Sequence, residues 1–238
     1  MRPIPPPGSS PAREVSVRRH GMGLLIHLQD VEPGGEDAAR AAMEEYIGRR
    51  MEVPGVWGVA SYEAIKGSPR FLTLLEAESV HVFYSEPFLA LAAGPGGHEA
   101  EAARRRTAEV RLVCAQLYPG LPAPSPACPT VDVAGLAPVV QVGRIHVPPD
   151  KLEDFNGWYA QDRAPRMERL PGMRRFRRYA PVEGEPVMVV FYEMENEAVQ
   201  EQAGWKEASS TPWSGRVRGY YRQAPGSPGV YRRLGGPR

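Results

Sequence analysis

The sequence predicts an α+β chain of two tandem ferredoxin-like βαββαβ repeats. Three observations predict it: an internal repeat, one element order shared by both halves, and apolar character concentrated in the strands that this fold makes central. Residues 54–78 align with residues 171–195 at an offset of 117. Seven of these 25 positions are identical: Pro54/Pro171, Gly55/Gly172, Tyr62/Tyr179, Gly67/Gly184, Pro69/Pro186, Glu76/Glu193 and Glu78/Glu195. Glycine and proline recur where the backbone turns, because a turn's φ requirement restricts residue choice more tightly than a core position does. The match continues weakly from TAEVR (107–111) to SGRVR (214–218) at an offset of 107, so the first copy carries ten extra residues (117 − 107) around AAGPGGHEAEAA.

The elements follow in order. GLLIHLQDV (23–31) reads as a strand and EDAARAAMEEYIGRR (36–50) as a helix, with Pro54-Gly55 as a stop. Strands at 56–64 and 70–77 flank a turn at Lys66-Gly67-Ser68-Pro69, and a helix at 79–92 and a strand at 108–117 complete the copy. The second copy repeats this as strand 139–147, helix 150–168, strands 173–181 and 187–194, helix 196–208 and strand 214–223. A 4-1-3-2 sheet makes the first and third strands central and the second and fourth edges. LLIHL, VVQV, FLTLL and VMVVFY are apolar as central strands should be, whereas RRFRRY and GRVRGYYR carry the charge expected of edges.

The domain boundaries are a flexible Pro-rich arm (1–20), a first repeat (21–118), a Pro-rich linker (119–138), a second repeat (139–224) and a basic tail (225–238). Proline fixes φ and lacks a donor, so the Pro-rich stretches cannot join a helix or ladder. With 29 Lys+Arg against 28 Asp+Glu the chain has no strong overall field, which disfavours a nucleic-acid partner. No apolar run reaches the roughly 18 residues of a membrane helix and no signal-peptide core is present, so a cytoplasmic protein with no membrane partner is expected. Two cysteines and five histidines without HxH or HxxxH spacing point to no metal site.

In the second copy Trp158-Tyr159, Asp162, Pro165, Leu170-Pro171-Gly172, Tyr179, Gly184-x-Pro186 and Glu193-x-Glu195 form a pattern that resembles the tandem form of the dimeric α/β-barrel superfamily, of the antibiotic-biosynthesis monooxygenase and EthD-like type. The resemblance spans 22–118 and 139–223 and implies that the two antiparallel sheets pack into one α/β barrel. It also implies a ligand cleft between sheet and helices in each copy. Relatives commonly place a His between the acidic residue and the proline; Arg163 stands there in this chain, and Tyr46 in the first copy, which argues against a His-based mechanism at that position.

Candidate site residues follow from the clefts. His27 and His146 lie on first strands, where a neutral imidazole can take a phenolic or enolic proton; either His27 or Asp30 is the counterpart of His146. Tyr62 and Tyr179 are paired by the repeat and suit an oxyanion donor, with packing as the competing role. Glu76 and Glu193 end apolar strands, as a base whose pKa burial raises or as an arginine partner at the barrel edge. Arg174, Arg175, Arg177 and Arg178 could clamp a carboxylate, a phosphate or a flavin cosubstrate, Arg175 and Arg177 from the side of Tyr179, with solvated edge charges as the plainer reading; Arg163 and Arg177 are candidate substrate-binding residues. Trp57, Trp158, Tyr159 and Met188 are candidates to line a pocket for a flat aromatic molecule. The 94–105 insertion is a candidate lid or a surface loop that grew.

The resemblance implies an oxygenase of aromatic polyketide-type secondary metabolism, oxidising or ring-cleaving a polyphenolic or quinonoid substrate without a protein-bound metal. Reduced flavin with O2 is a candidate cosubstrate pair, and a second copy of the chain and a flavin reductase are candidate partners. A cofactor-free polyketide cyclase or isomerase, and a non-catalytic or haem-holding stress-response protein, are the alternatives.

Overall fold

The computed structural model describes residues 23–118, 136–186 and 188–235; the expected N-terminal arm, most of the linker and Cys128 lie outside them. The first half runs β1 (Gly23–Val31), α1 (Glu36–Arg50), β2 (Val56–Lys66), β3 (Phe71–Ala77), α2 (Glu86–Ala93), α3 (Gly97–Arg104) and β4 (Arg106–Tyr118). The second runs β5 (Val139–His146), α4 (Leu152–Trp158), a π-helical turn (Tyr159–Arg163), α5 (Ala164–Met167), β6 (Met173–Glu183), β7 (Met188–Met194), α6 (Ala203–Ser209), α7 (Pro212–Arg218), β8 (Arg222–Gln223) and β9 (Gly229–Arg233). Among the described residues no helix is long and apolar enough to cross a membrane.

Eight strands close into an antiparallel barrel in the order β7-β6-β4-β1-β3-β2-β9-β5, with β5 returning to β7. Each half contributes a 4-1-3-2 run. The halves join edge to edge, through β4 with β6 and β2 with β9. This corrects the expectation of free edges: closure gives every barrel strand two neighbours, so the second and fourth strands have no solvent-facing ladder. The matched glycines mark the joints. Gly55, Gly67, Gly172 and Gly184 have φ of 87°, 84°, 80° and 90°, a backbone region that other residues avoid.

A second correction concerns the C-terminus. Of the strand expected at 214–223 only Arg222–Gln223 is extended, because Thr211 and Pro212 start helix α7 there. The Thr211 hydroxyl accepts a hydrogen bond from the Ser214 N–H at 3.0 Å, and proline at a first helical position loses no hydrogen bond. The fourth-strand place is taken instead by β9, within the stretch expected to be a basic tail. It pairs with β5 on one side and β2 on the other and buries Tyr231 in the barrel.

Alternation along β1 sends Leu24, Ile26 and Leu28 into the barrel and Leu25, His27 and Gln29 toward the helices. The barrel core adds Tyr62, Tyr179, Phe191 and Tyr231. It also holds four charges. Arg175 Nη2 donates to Glu193 Oε1 at 2.7 Å, Arg177 Nε lies 2.9 Å from Glu193 Oε2, and Arg177 also donates to Glu76. The arginine-rich strand β6 is therefore not a solvated edge: Arg177 is 1% exposed and Glu193 0%. Burial opposes the Arg177 charge, but Glu193 and Glu76 outweigh it and raise its pKa.

Candidate functional site

The space between helices and barrel differs in the two halves because the helices differ. Helix α1 presents Ala39, Ala42 and Met43 to the sheet, small or flexible side chains that leave room beneath it. Helix α4 and its π turn present Phe155, Trp158 and Tyr159, which pack on Phe176 and Tyr192. Tyr159 stacks on Phe176 at 5.8 Å and Phe176 meets Tyr192 edge-on at 5.0 Å. The second hollow is filled by these rings, and the first stays open.

The open cavity measures about 540 Å³. Leu25, His27, Gln29 and Thr73 form its floor, and Ala42, Met43, Tyr46 and Arg50 of α1 form one wall. Phe83, Phe88 and Leu89 form another, while Ala102 of α3 and the Glu99 carboxylate close the roof. The 94–105 insertion is thus a helix over the cavity, fastened to α1. Arg49 Nη1 and Arg50 Nη1 both donate to Glu99 Oε1 at 3.0 Å, and the Glu99 N–H donates to Glu45 Oε2 at 2.9 Å.

Polar chemistry concentrates on the floor. His27 Nε2 lies 2.7 Å from Glu109 Oε1, the carboxylate standing two residues from the cross-strand neighbour of His27, Arg111. Arg106 approaches the same oxygen at 2.7 Å and donates from Nε to Gln29 Oε1 at 3.1 Å. The hydrogen bond with His27 holds the Glu109 carboxyl down at about 2, against the opposing pull of burial. An ionised Glu109 accepting from Nε2–H leaves the basic lone pair of His27 on Nδ1. At the rim Arg111 pairs with Glu183, which also accepts from the Tyr84 hydroxyl at 3.0 Å; Glu183 is the second half's contribution to the cavity.

Of the candidate catalytic and substrate-binding residues, His27 alone lines this cavity, beside residues of the 94–105 insertion. Strand pairing decides the question of its counterpart. Leu24 faces Glu76 and Val140 faces Glu193, so Asp30 matches His146 and His27 matches Gly143. His146 sits at the end of β5, beside Arg222. Tyr62 and Tyr179 point into the barrel, on the far side of the sheet from the cavity; the Tyr62 hydroxyl donates to the Ala137 carbonyl at 3.0 Å. Arg177 and Glu193 belong to the barrel's ion cluster, and Trp57 is 38% exposed on β2. Trp158, Tyr159 and Met188 are core of the filled hollow, where Arg163 donates to the Tyr192 hydroxyl at 3.1 Å and to Ser209 Oγ at 2.7 Å. Tyr46, Arg50, Arg106 and Glu109 were missed as site residues. One available signal was the polar helix-facing run His27, Gln29 on β1, where β5 places Gly143 and Ile145.

With the geometry in place, solved structures of the same architecture can be compared. An anthrone oxidase-like protein is 14% identical, with a TM-score of 0.57 over 91% of this chain and 92% of that one. A haem-binding protein from Thermus thermophilus is 14% identical with a TM-score of 0.54, over 91% and 92%. A protein of Lactobacillus acidophilus proposed to be a monooxygenase is 12% identical with a TM-score of 0.52, over 89% and 92%. These likenesses define the class: the chain has the dimeric α/β-barrel fold, with one polypeptide supplying the whole barrel. No protein-family model and no curated protein matches the sequence.

Haem occurs in this architecture, but the residues present do not suit it. An axial imidazole must offer a free nitrogen to the iron. The outer ring nitrogen of His27, Nε2, is taken by Glu109. His81 and His98 are exposed and His146 lies outside the cavity. The second hollow is occupied by rings and arginine. Among the described residues no histidine of this cavity offers a free Nε2.

Proposed function

We propose that the first-half cavity is the active site of an oxygenase of aromatic polyketide-type secondary metabolism, oxidising a polyphenolic or quinonoid substrate without a protein-bound metal. The observation that carries this reading is the His27–Glu109 pair on the floor of a cavity whose other walls are largely apolar. The volume falls within the range of small-molecule sites, and apolar walls suit a flat polycyclic molecule. Glu109 fixes the tautomer and orientation of His27, the arrangement a general base requires. The anthrone oxidase-like and monooxygenase-type neighbours support an oxidative reaction in this architecture. The halves are read as copies of one ferredoxin-like unit, as in the antibiotic-biosynthesis monooxygenase and EthD-like type, of which the second has exchanged its cleft for packing.

The chemistry needs few groups. His27 takes a proton from the activated carbon of an electron-rich substrate, and the resulting carbanion reduces O2 directly. A CH2 flanked by aromatic rings becomes a carbonyl as O2 supplies the new oxygen and leaves its other atom as water. The four electrons come from the substrate, and the apolar walls around the reacting carbon limit its reprotonation by water.

The test is oxygen uptake with 1,8-dihydroxyanthrone as substrate. His27→Ala is expected to lower kcat/KM by about 10²-fold or more, and His146→Ala to leave it unchanged. Equal rates for His27→Ala and the parent would remove the assigned base. Full turnover of a polyketide-type substrate under anaerobic conditions would favour the cyclase or isomerase instead.

A further inference from the structure

We propose that Tyr46 is a second catalytic residue of this cavity, its phenol donating a hydrogen bond to the substrate oxygen that turns negative as His27 removes the proton. The inference rests on the reading of the cavity as an active site and adds the group that would receive the charge. Proton loss at carbon sends an electron pair into the conjugated carbonyl, so an anion forms on oxygen at some distance from the base. A site that only removes the proton leaves that oxygen without a donor where the charge forms, which is costly. Nothing is oxidised in this step; O2 enters afterwards.

Tyr46 is placed for the task. It projects from α1 into the cavity that His27 lines from β1, and the two ring centres are 6.4 Å apart with planes inclined at 34°. One flat molecule can therefore meet both. The Arg50 guanidinium lies over the Tyr46 ring, its carbon 3.5 Å from the ring centre. Arg50 is itself buried and tied through Nη1 to Glu99, so the cation cannot swing away. A fixed cation over the ring strengthens the phenol as a donor.

Burial raises the pKa of the phenol, with Arg50 and Arg111 opposing and Glu99 assisting. Tyr46 thus keeps its proton at neutral pH, as a donor must. The other candidate phenols are elsewhere. Tyr62 already donates to the Ala137 carbonyl, and both it and Tyr179 lie in the barrel on the other face of the sheet.

The experiment uses 1,8-dihydroxyanthraquinone, an unreactive analogue whose visible band moves to the red when a phenol ionises. Bound to the full-length protein, it is expected to ionise at least about one pH unit lower than in water, a tenfold shift in the ionised fraction. Tyr46→Phe keeps the ring under Arg50 and is expected to return the bound probe toward its value in water. The same variant should lower kcat on 1,8-dihydroxyanthrone by about 10²-fold with KM little changed. Tyr179→Phe should match the parent in both measurements. A probe that ionises identically in Tyr46→Phe and the parent overturns the role of Tyr46 while the cavity assignment stands. A parent protein that binds no probe and takes up no oxygen overturns both.

Discussion

Arg177 and Glu193 were candidates for the site on the strength of their chemistry, and the fold uses them otherwise. Both lie in the barrel with Arg175 and Glu76, where two guanidinium groups and two carboxylates neutralise each other. Such a cluster holds together only when complete, since removal of one member strands its partners in a medium that solvates charge poorly. Arg177→Met is expected to cost about 3–5 kcal/mol of unfolding free energy in urea titrations. Replacing Glu76 by methionine as well should recover part of that loss, because the neutral pair leaves fewer unmatched charges. The alternation of β6 already placed Arg175, Arg177 and Tyr179 on one side. Alternation does not say whether that side faces water or a sealed interior, and four arginines on one strand suit a solvated edge until the barrel is seen closed.

At the scale of elements, the decisive contrast is α1 against α4. Both were predicted as helices, and both cover the same kind of sheet face, but an alanine-rich helix leaves space where an aromatic-rich one fills it. Ala42 lines the cavity from α1, and enlarging it tests the contrast directly. Ala42→Leu retains helix propensity and extends into open volume, so the midpoint of thermal unfolding should stay within a few degrees of the parent. Binding of 1,8-dihydroxyanthraquinone should weaken by roughly tenfold or more, because the new side chain occupies the ligand's space. A variant that binds as well as the parent would place the ligand elsewhere. Most elements were legible from periodicity and turn residues, including β1, α1 and the paired turns at Gly67 and Gly184. The C-terminal strand was not. Residues 214–223 carry the arginines and paired tyrosines expected of an edge strand, yet Thr211-Pro212 gives the chain a helix start three residues earlier, and local capping prevailed.

For the whole molecule, closure depends on the last strand in the chain. Among the described residues β9 is the only link between β2 and β5 along the barrel wall, and it is short. A chain ending at Ala224 would leave both neighbours with unpaired backbone edges and expose the barrel core. It is expected to elute earlier than the parent in size-exclusion chromatography and to be cut by protease at concentrations that spare the parent. Repeat, element order and the apolar central strands are properties of sequence that survive in any context, because turn geometry and strand burial constrain each position locally. They were enough to give the element order of both halves and to single out His27 as a candidate. Only the tertiary structure decided that the units join edge to edge, that one hollow is filled and the other open, and that Glu109, Tyr46 and Arg50 gather around His27. Those outcomes depend on which side chains share a volume after the ring of strands closes, and residues as far apart as 27 and 109 carry no local trace of that meeting.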